Sequence, residues 1–340
     1  MMVRFVALLS GENVPLGLGE LRALLDVLGG SLIGERSHER LPEFDASEQI
    51  ARDVAWRSAL VKETVMKLFE VDACDLGRSF ELPGDELPRP KGPIAVRALK
   101  LEDVPLPRTE LERWVADRLL EEWRGVSVDL ERPSEVIRVY VTSRSVVGGI
   151  LVGVRDNEGL ARRSPVNRPF RLPSTLKPKE ARVVVNLARV PLGGSILDPF
   201  AGSGAILLEA AALGYSAFGV EVKGWVARGA RRNLNAFGLG GLSEVIATDS
   251  RRLPLRCRID GVVTDPPYGK STTLVGGRRS ELVDAVIGEL LDSMERARRA
   301  VVIYPDGPDF PEILRSERVV ERYSYRVHSA LVRTVNVLVA

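Results

Sequence analysis

The 340-residue chain has few of the residues that build metal centres and disulfides, with two cysteines and two histidines. Cys74 and Cys257 are far apart and show no C-x-x-C spacing, so neither a zinc site nor a disulfide framework is expected, and a reducing, cytoplasmic compartment is. Each cysteine reads as a small buried apolar residue. No apolar run approaches the roughly 18 residues a membrane span requires, and the opening Met-Met-Val-Arg-Phe-Val-Ala-Leu-Leu-Ser reads as a first strand, not a secretory leader. Amides are scarce: Gln49 stands alone beside seven asparagines, the composition expected of a thermophile. Lysine is scarce too, at 8 against 40 arginines. Arginine forks suit phosphates and stack on bases, although a GC-rich genome produces the same bias. A net charge of +2 does not by itself announce a nucleic-acid partner.

With 45% hydrophobic and 28% charged residues the composition is that of an ordinary globular protein, and the length calls for two or three domains. Residues 1–58 alternate a strand pattern (Val3 to Leu9), a helical pattern (Leu18 to Leu28) and a polar stretch around Gly34 to Pro42, which predicts a small α+β unit. A second α+β unit is predicted over 59–155. It has a Gly/Pro-rich break between Leu82 and Pro93, a helix opened by Thr109 and ended by Gly125, and strands at Val126–Leu130, Val136–Val141 and Val146–Val154 punctuated by Pro133 and Gly148-Gly149. Residues 156–177 read as a semi-rigid basic linker. From Arg155 to Arg182 there are eight basic residues against three acids, with Pro165, Pro169, Pro173 and Pro178 interspersed. From 178 to 340 helix and strand patterns alternate, which predicts a doubly wound α/β domain with a parallel sheet.

Four successive strand ends in that last domain carry an acid. Ser195 to Gly204 reads Ser-Ile-Leu-Asp-Pro-Phe-Ala-Gly-Ser-Gly, an apolar strand ending at Asp198 and a turn in which Gly202 and Gly204 let the backbone approach a ligand closely. A nucleotide phosphate would want a lysine in a G-x-x-x-x-G-K-[ST] loop or a G-x-G-x-x-G turn, and neither is present. An acid beside the glycines suits a cation, such as the ammonium group of S-adenosylmethionine. Glu221, some 20 residues on, ends the next strand where a carboxylate accepts both hydroxyls of a ribose. Asp249 ends the third and is placed to accept an adenine amino group.

The fourth strand runs into Thr264-Asp265-Pro266-Pro267-Tyr268-Gly269. Two prolines fix φ and delete two backbone donors, leaving the Asp265 carboxylate and the Pro266 carbonyl as acceptors for the two N–H bonds of an exocyclic amine. Tyr268 offers a ring face for the base. The same run, taken alone, is also a proline-capped loop after a buried strand.

Together these residues resemble the class I S-adenosylmethionine-dependent methyltransferases, specifically the amino-methyltransferases with a [DN]-P-P-[YF] motif. The resemblance covers 178–340 and implies a Rossmann-like seven-stranded sheet with a reversed last hairpin, supplied by the segments around Tyr323 to Val327 and Leu331 to Val339. It implies a cofactor site at Asp198, Phe200, Ala201, Gly202, Ser203, Gly204, Glu221 and Asp249, and an acceptor site at Asp265, Pro266, Pro267 and Tyr268. Further stretches are similar to the archaeal tRNA guanosine N2-methyltransferases that act at position 10: Arg168-Pro-Phe, Lys177-Pro-Lys-Glu-Ala-Arg, Asn186-Leu-Ala, Gly229-Ala-Arg-Arg-Asn-Leu and His328-Ser-Ala-Leu-Val-Arg. That resemblance implies a ferredoxin-like domain (1–58) and a THUMP domain (59–155) that grip tRNA, no metal, and one or two methyl groups added to guanine N2. Lys223 stands where the family usually has a second acid, which leaves Glu221 as the ribose ligand.

Other readings differ in what they require. A monomer is favoured. A guanine elsewhere in tRNA or rRNA fits the same residues. A DNA adenine N6-methyltransferase uses the same amine logic but would carry a DNA-reading insertion, a protein-glutamine methyltransferase would open the motif with Asn, and a non-catalytic RNA-binding scaffold would not need acids at all four strand ends.

Overall fold

The computed structural model describes residues 3–36, 38–76, 82, 88–173, 175–253, 258–267, 279–295, 298–328 and 331–340. Cys257 and Tyr268 lie outside them, as do residues 83–87 of the Gly/Pro-rich break. In chain order the first elements are β1 (Val3–Leu9), α1 (Val14–Leu28), β2 (Ser31–Arg36), β3 (Pro42–Ala46), α2 (Glu48–Arg57), β4 (Val61–Asp72), β5 (Ile94–Lys100), α3 (Arg108–Glu122), β6 (Glu135–Val141) and β7 (Ser145–Val154). Then follow α4 (Asn157–Arg162), α5 (Pro178–Leu187), β8 (Ser195–Asp198), α6 (Ala205–Ala212), β9 (Ser216–Val220), α7 (Gly224–Ala236), β10 (Ser243–Ile246), β11 (Gly261–Thr264), α8 (Arg279–Ser293), β12 (Arg299–Pro305), β13 (Val319–His328) and β14 (Leu331–Val339). Among the described residues no helix is long and apolar enough to cross a membrane.

The chain forms two units. The first comprises residues 1–14, 28–56 and 61–155. Its seven strands run in the order β2-β3-β1-β4-β7-β6-β5. The two α+β patterns of the sequence therefore share one sheet, because the 12-residue β4 pairs with β1 on one side and β7 on the other. Two details depart from the sequence reading. The Val126–Leu130 stretch makes only an isolated bridge, Ile94 to Val128. Gly148 and Gly149 do not punctuate strands but lie inside β7, where a Cβ on Gly148 would fall 2.2 Å from the Phe69 ring of β4. The glycines are there because the aromatic side chain crosses the sheet at that point. Cys74 is exposed, not buried, just after β4, where its sulfur and carboxylate oxygens of Asp72 and Asp75 lie within 4.8 Å of one another.

The second unit comprises residues 15–27, 57–60 and 156–340. Its sheet has the order β10-β9-β8-β11-β12-β14-β13, with β14 antiparallel between β12 and β13. This is the parallel sheet with a reversed last hairpin. Val and Ile fill β11 and β12, which are buried on both faces as expected for strands covered by helices on each side. The unit borrows α1 from the N-terminal sequence. Leu16 and Ala23 enter its core, and the fully buried Glu20 accepts hydrogen bonds from Ser58 Oγ (2.5 Å), the N–H groups of Ala59 and Leu60 (2.8 Å each) and Asn186 Nδ2 (2.8 Å). Burial pushes the Glu20 carboxyl above its ordinary range, and these four donors oppose that shift.

Residues 156–177, read from the sequence as a basic linker, fold into this unit through α4 and a 3-10 turn at Pro165–Asn167. Their charge is not all available to a phosphate. Arg163 and the wholly buried Arg182 converge on Glu209 of α6 at 2.8 and 2.9 Å, and Arg168 is 2% exposed. Burial pulls the Arg168 guanidinium down to about 10. Part of the positive charge clustered in sequence has become an internal ion-pair network, because Glu209, 46 residues beyond Arg163 and 27 beyond Arg182, joins Asp156 in neutralising them.

Candidate active site

β10, β9, β8 and β11 lie side by side and parallel, so residues just beyond their ends share one edge of the sheet. Neighbouring strands are about 4.8 Å apart, which brings Glu221 and Asp265, on the strands either side of β8, into electrostatic range of Asp198. Asp198 is 2% exposed and accepts hydrogen bonds from Phe200 N–H (3.1 Å) and from the hydroxyl of Thr264 (2.7 Å). Burial pushes its carboxyl up to about 7, and Asp265 and Glu221 add to the shift. A carboxyl in that state awaits a cation, since an ammonium group would favour its ionised form.

The turn between β8 and α6 is built to admit a ligand. Gly202 and Gly204 have φ of +51° and +82°, values a side chain would strain, and a Cβ on Gly202 would meet no atom closer than Phe200 O at 4.0 Å. The open face of the loop is thus left for another molecule. Its inner face is pinned: Ala201 N–H donates to Val220 O (2.9 Å), Ser203 Oγ lies 3.0 Å from Thr175 Oγ1, and Asn233 Nδ2 donates to Ser203 O (2.9 Å). Asn233 also exchanges two 2.9 Å hydrogen bonds with the backbone of Phe170, whose ring rests on Gly229. Phe170, Gly229 and Asn233, drawn from the two stretches quoted above, are therefore one device that fixes the glycine loop.

Glu221, directly after β9, accepts the Lys223 N–H at 2.9 Å and is partly exposed. Asp249 is placed at the same edge but is engaged by its neighbour: its carboxylate caps the following 3-10 turn through Arg251 N–H (3.0 Å) and pairs with the Arg251 guanidinium at 2.6 Å. That pairing holds the Asp249 carboxyl below the usual range.

Asp265, Pro266 and Pro267 leave the buried end of β11. The Asp265 carboxylate, 14% exposed, faces Arg333 at 3.9 Å. Arg333 projects from β14, is almost wholly buried, and pairs across the hairpin with Tyr325. Burial raises the Tyr325 phenol well above its ordinary range, and the charges it feels are those of Glu180, Arg333 and Asp265. The sequence reading assigned no role to Thr264, Asn233 or Arg333. All three lie in the stretches quoted above, but the partner each serves, Asp198 for Thr264, the glycine loop for Asn233 and Asp265 for Arg333, is set by tertiary packing.

A parallel sheet with this reversed hairpin, a glycine turn after one strand and Asp-Pro-Pro after its neighbour defines a class I S-adenosylmethionine-dependent methyltransferase. Residues 165–335 match the family described as RMKL-like, methyltransferase domain. The tRNA (guanine(10)-N2)-dimethyltransferase of Methanothermobacter thermautotrophicus is 32% identical over 338 residues, 99% of each chain. The tRNA (guanine(6)-N2)-methyltransferase of Thermus thermophilus is 31% identical over 261 residues, 74% of each. Among solved structures, TrmN from Thermus thermophilus matches over 100% of both chains with a TM-score of 0.52 at 21% identity, a likeness of fold. The chain belongs to the archaeal tRNA (guanine(10)-N2)-dimethyltransferase family, which carries the RMKL-like methyltransferase domain.

Proposed function

We propose that the chain methylates the exocyclic N2 of guanine 10 in tRNA, first to N2-methylguanosine and then to N2,N2-dimethylguanosine, with S-adenosylmethionine as cofactor. The observation that carries this reading is the placement of Asp265-Pro266-Pro267 on the strand beside buried Asp198, so that an amine acceptor and a cation site share one sheet edge. When bound, S-adenosylmethionine supplies an electrophilic methyl group. Asp198 would receive its ammonium group, the loop from Phe200 through Ala201, Gly202 and Ser203 to Gly204 would hold its amino-acid end, and Glu221 would accept the ribose hydroxyls. Asp249 accepts the adenine amine, in competition with Arg251.

The guanine N2 lone pair is delocalised into the ring, so the amine is a weak nucleophile. The Asp265 carboxylate and the Pro266 carbonyl accept its two N–H bonds and turn the lone pair out of the ring plane, toward the methyl group. A new N–C bond forms as the methyl–sulfur bond breaks, and Asp265 takes the amine proton late. The Arg333 guanidinium, 3.9 Å away, holds the carboxylate of Asp265 in place, and Asp265 passes the proton on to solvent. Positioning supplies most of the rate. A paired guanine must leave its stack at a cost of a few kcal/mol, and the motif offers the Tyr268 ring for it to stack on.

Residues 1–58 are read as the ferredoxin-like segment and residues 59–155 as the THUMP domain; apart from 15–27 and 57–60, which belong to the second unit, they form the first unit, and they hold the tRNA by shape and phosphates. The protein is expected to work as a cytoplasmic monomer. Incubating the full chain with an unmodified tRNA transcript and cofactor, then digesting to nucleosides for mass spectrometry, tests the reading. N2-methylated guanosine supports it, and N6-methyladenosine or unmodified nucleosides contradict it.

A further inference from the structure

Helix α7 begins just beyond Glu221, at the sheet edge from which the acids project. It runs Gly-Trp-Val-Ala-Arg-Gly-Ala-Arg-Arg-Asn-Leu-Asn-Ala and contains three arginines and no acid. Val226, Ala227, Ala230, Asn233 and Leu234 turn inward. Trp225, Arg228, Arg231 and Arg232 fall on the opposite arc at helical spacing and are exposed.

Two features separate this face from an ordinary solvated one. Many arginines of this chain are tied into ion pairs or cation–π contacts, yet the side chains of Arg228, Arg231 and Arg232 make no ion pair or hydrogen bond among the described residues. Trp225 is 55% exposed but not loosely held, because the Phe170 ring meets it edge-on at 5.9 Å and is itself fixed by Asn233 and Gly229. A large aromatic that is braced by a neighbouring ring and still more than half exposed loses little freedom on stacking against a flat partner. β9 and β11 are separated by one strand, so the chain leaves them about 10 Å apart, roughly the span of two nucleotides of a folded strand.

We propose that the exposed face of α7 is an RNA contact surface. Arg228, Arg231 and Arg232 bind phosphates, and Trp225 stacks on an unpaired base next to the nucleotide delivered to Asp265. The inference rests on the reading of the substrate as RNA and adds to it a contact surface on the methyltransferase unit itself. A single strand with its bases splayed offers both ligands, charge and π-face, at this spacing.

The test uses the full-length protein and an unmodified tRNA transcript, with binding measured over a range of salt and cofactor binding measured separately. The variant with Arg228→Gln, Arg231→Gln and Arg232→Gln is expected to bind tRNA at least about tenfold more weakly, with a log–log salt slope shallower by about 2. Trp225→Ala is expected to raise the KM for tRNA about 5- to 100-fold, and Trp225→Phe to recover most of it. Cofactor affinity should stay within twofold in all of them, and kcat at saturating tRNA within about threefold. Unchanged tRNA affinity and salt slope in the triple variant, or a parallel loss of cofactor affinity, would overturn the proposal. A wild-type protein that binds tRNA through this face but methylates no guanine would instead overturn the assigned reaction and leave the contact surface standing.

Discussion

The guanidinium of Arg333 lies 3.9 Å from the carboxylate of Asp265, joining the antiparallel hairpin at the end of the chain to the strand end that presents the acceptor motif. The two residues are 68 positions apart in sequence and are brought together because β12 stands between β11 and β14. Asp265→Ala should lower the methylation rate by about 10²-fold or more while leaving cofactor affinity unchanged, as for loss of a positioned oxyanion donor. Single-turnover rates and calorimetric titration with cofactor check both halves, and an unaffected rate contradicts the role.

Arg333→Met should lower kcat by about 10²-fold with KM for tRNA little changed, since a displacement of about 1 Å in a reacting group has that effect. Arg333→Lys should restore part of the rate by returning the charge without the fork. Equal losses in both variants, together with a lowered melting temperature, would mark Arg333 as structural only.

Asp198 gives a pH dependence whose sign is fixed by the direction of its shift. Its folded pKa, about 7, lies above the ordinary 3.8, so without ligand it is ionised only above about 7. A bound ammonium group lowers that pKa, so cofactor affinity should fall as pH drops below about 7 and level off above it. The unliganded protein should show the opposite trend in stability: Asp198 favours the folded state below about pH 4, and that contribution is lost as pH rises through about 7. Asp198→Asn should remove the pH dependence of binding; calorimetry from pH 5.5 to 8.5 checks it.

Glu209→Ala should destabilise the second unit by about 3–5 kcal/mol, because it leaves Arg182, wholly buried, and Arg163 with the Asp156 carboxylate, at 3.8 and 3.7 Å, in place of the hydrogen-bonded one. Denaturant melts followed by circular dichroism measure this, and a change under about 1 kcal/mol would show that the network relaxes to water.

Glu20→Ala should destabilise the same unit, and a fragment starting at residue 156 should fail to fold, since it lacks the α1 side chains and the 57–60 segment that complete this core. Soluble expression of that fragment with native cofactor affinity would contradict the account.

How much of this was legible in sequence follows from the range of each interaction. The β8 to β11 strand ends could be read because each acid sits next in sequence to the apolar run and the turn residues that place it. Gly202 and Gly204 were legible for the same reason. The borrowing of α1 was not, because Glu20 finds Asn186 only through tertiary packing. The linker misled in the same way: Arg163 and Arg182 look solvated until Glu209 is seen between them. Arg333 was visible as part of a stretch, yet its service to Asp265 depends on the reversed hairpin, and no local pattern encodes which strand a hairpin will join.

The most direct test of the central claim replaces the target guanosine by inosine, which lacks the exocyclic amine but keeps the rest of the base. A tRNA transcript with inosine at position 10 should accept no methyl group from the wild-type protein under conditions that fully methylate the guanosine transcript. Methyl incorporation into the inosine transcript equal to that of the control would contradict methylation of guanine N2 at that position.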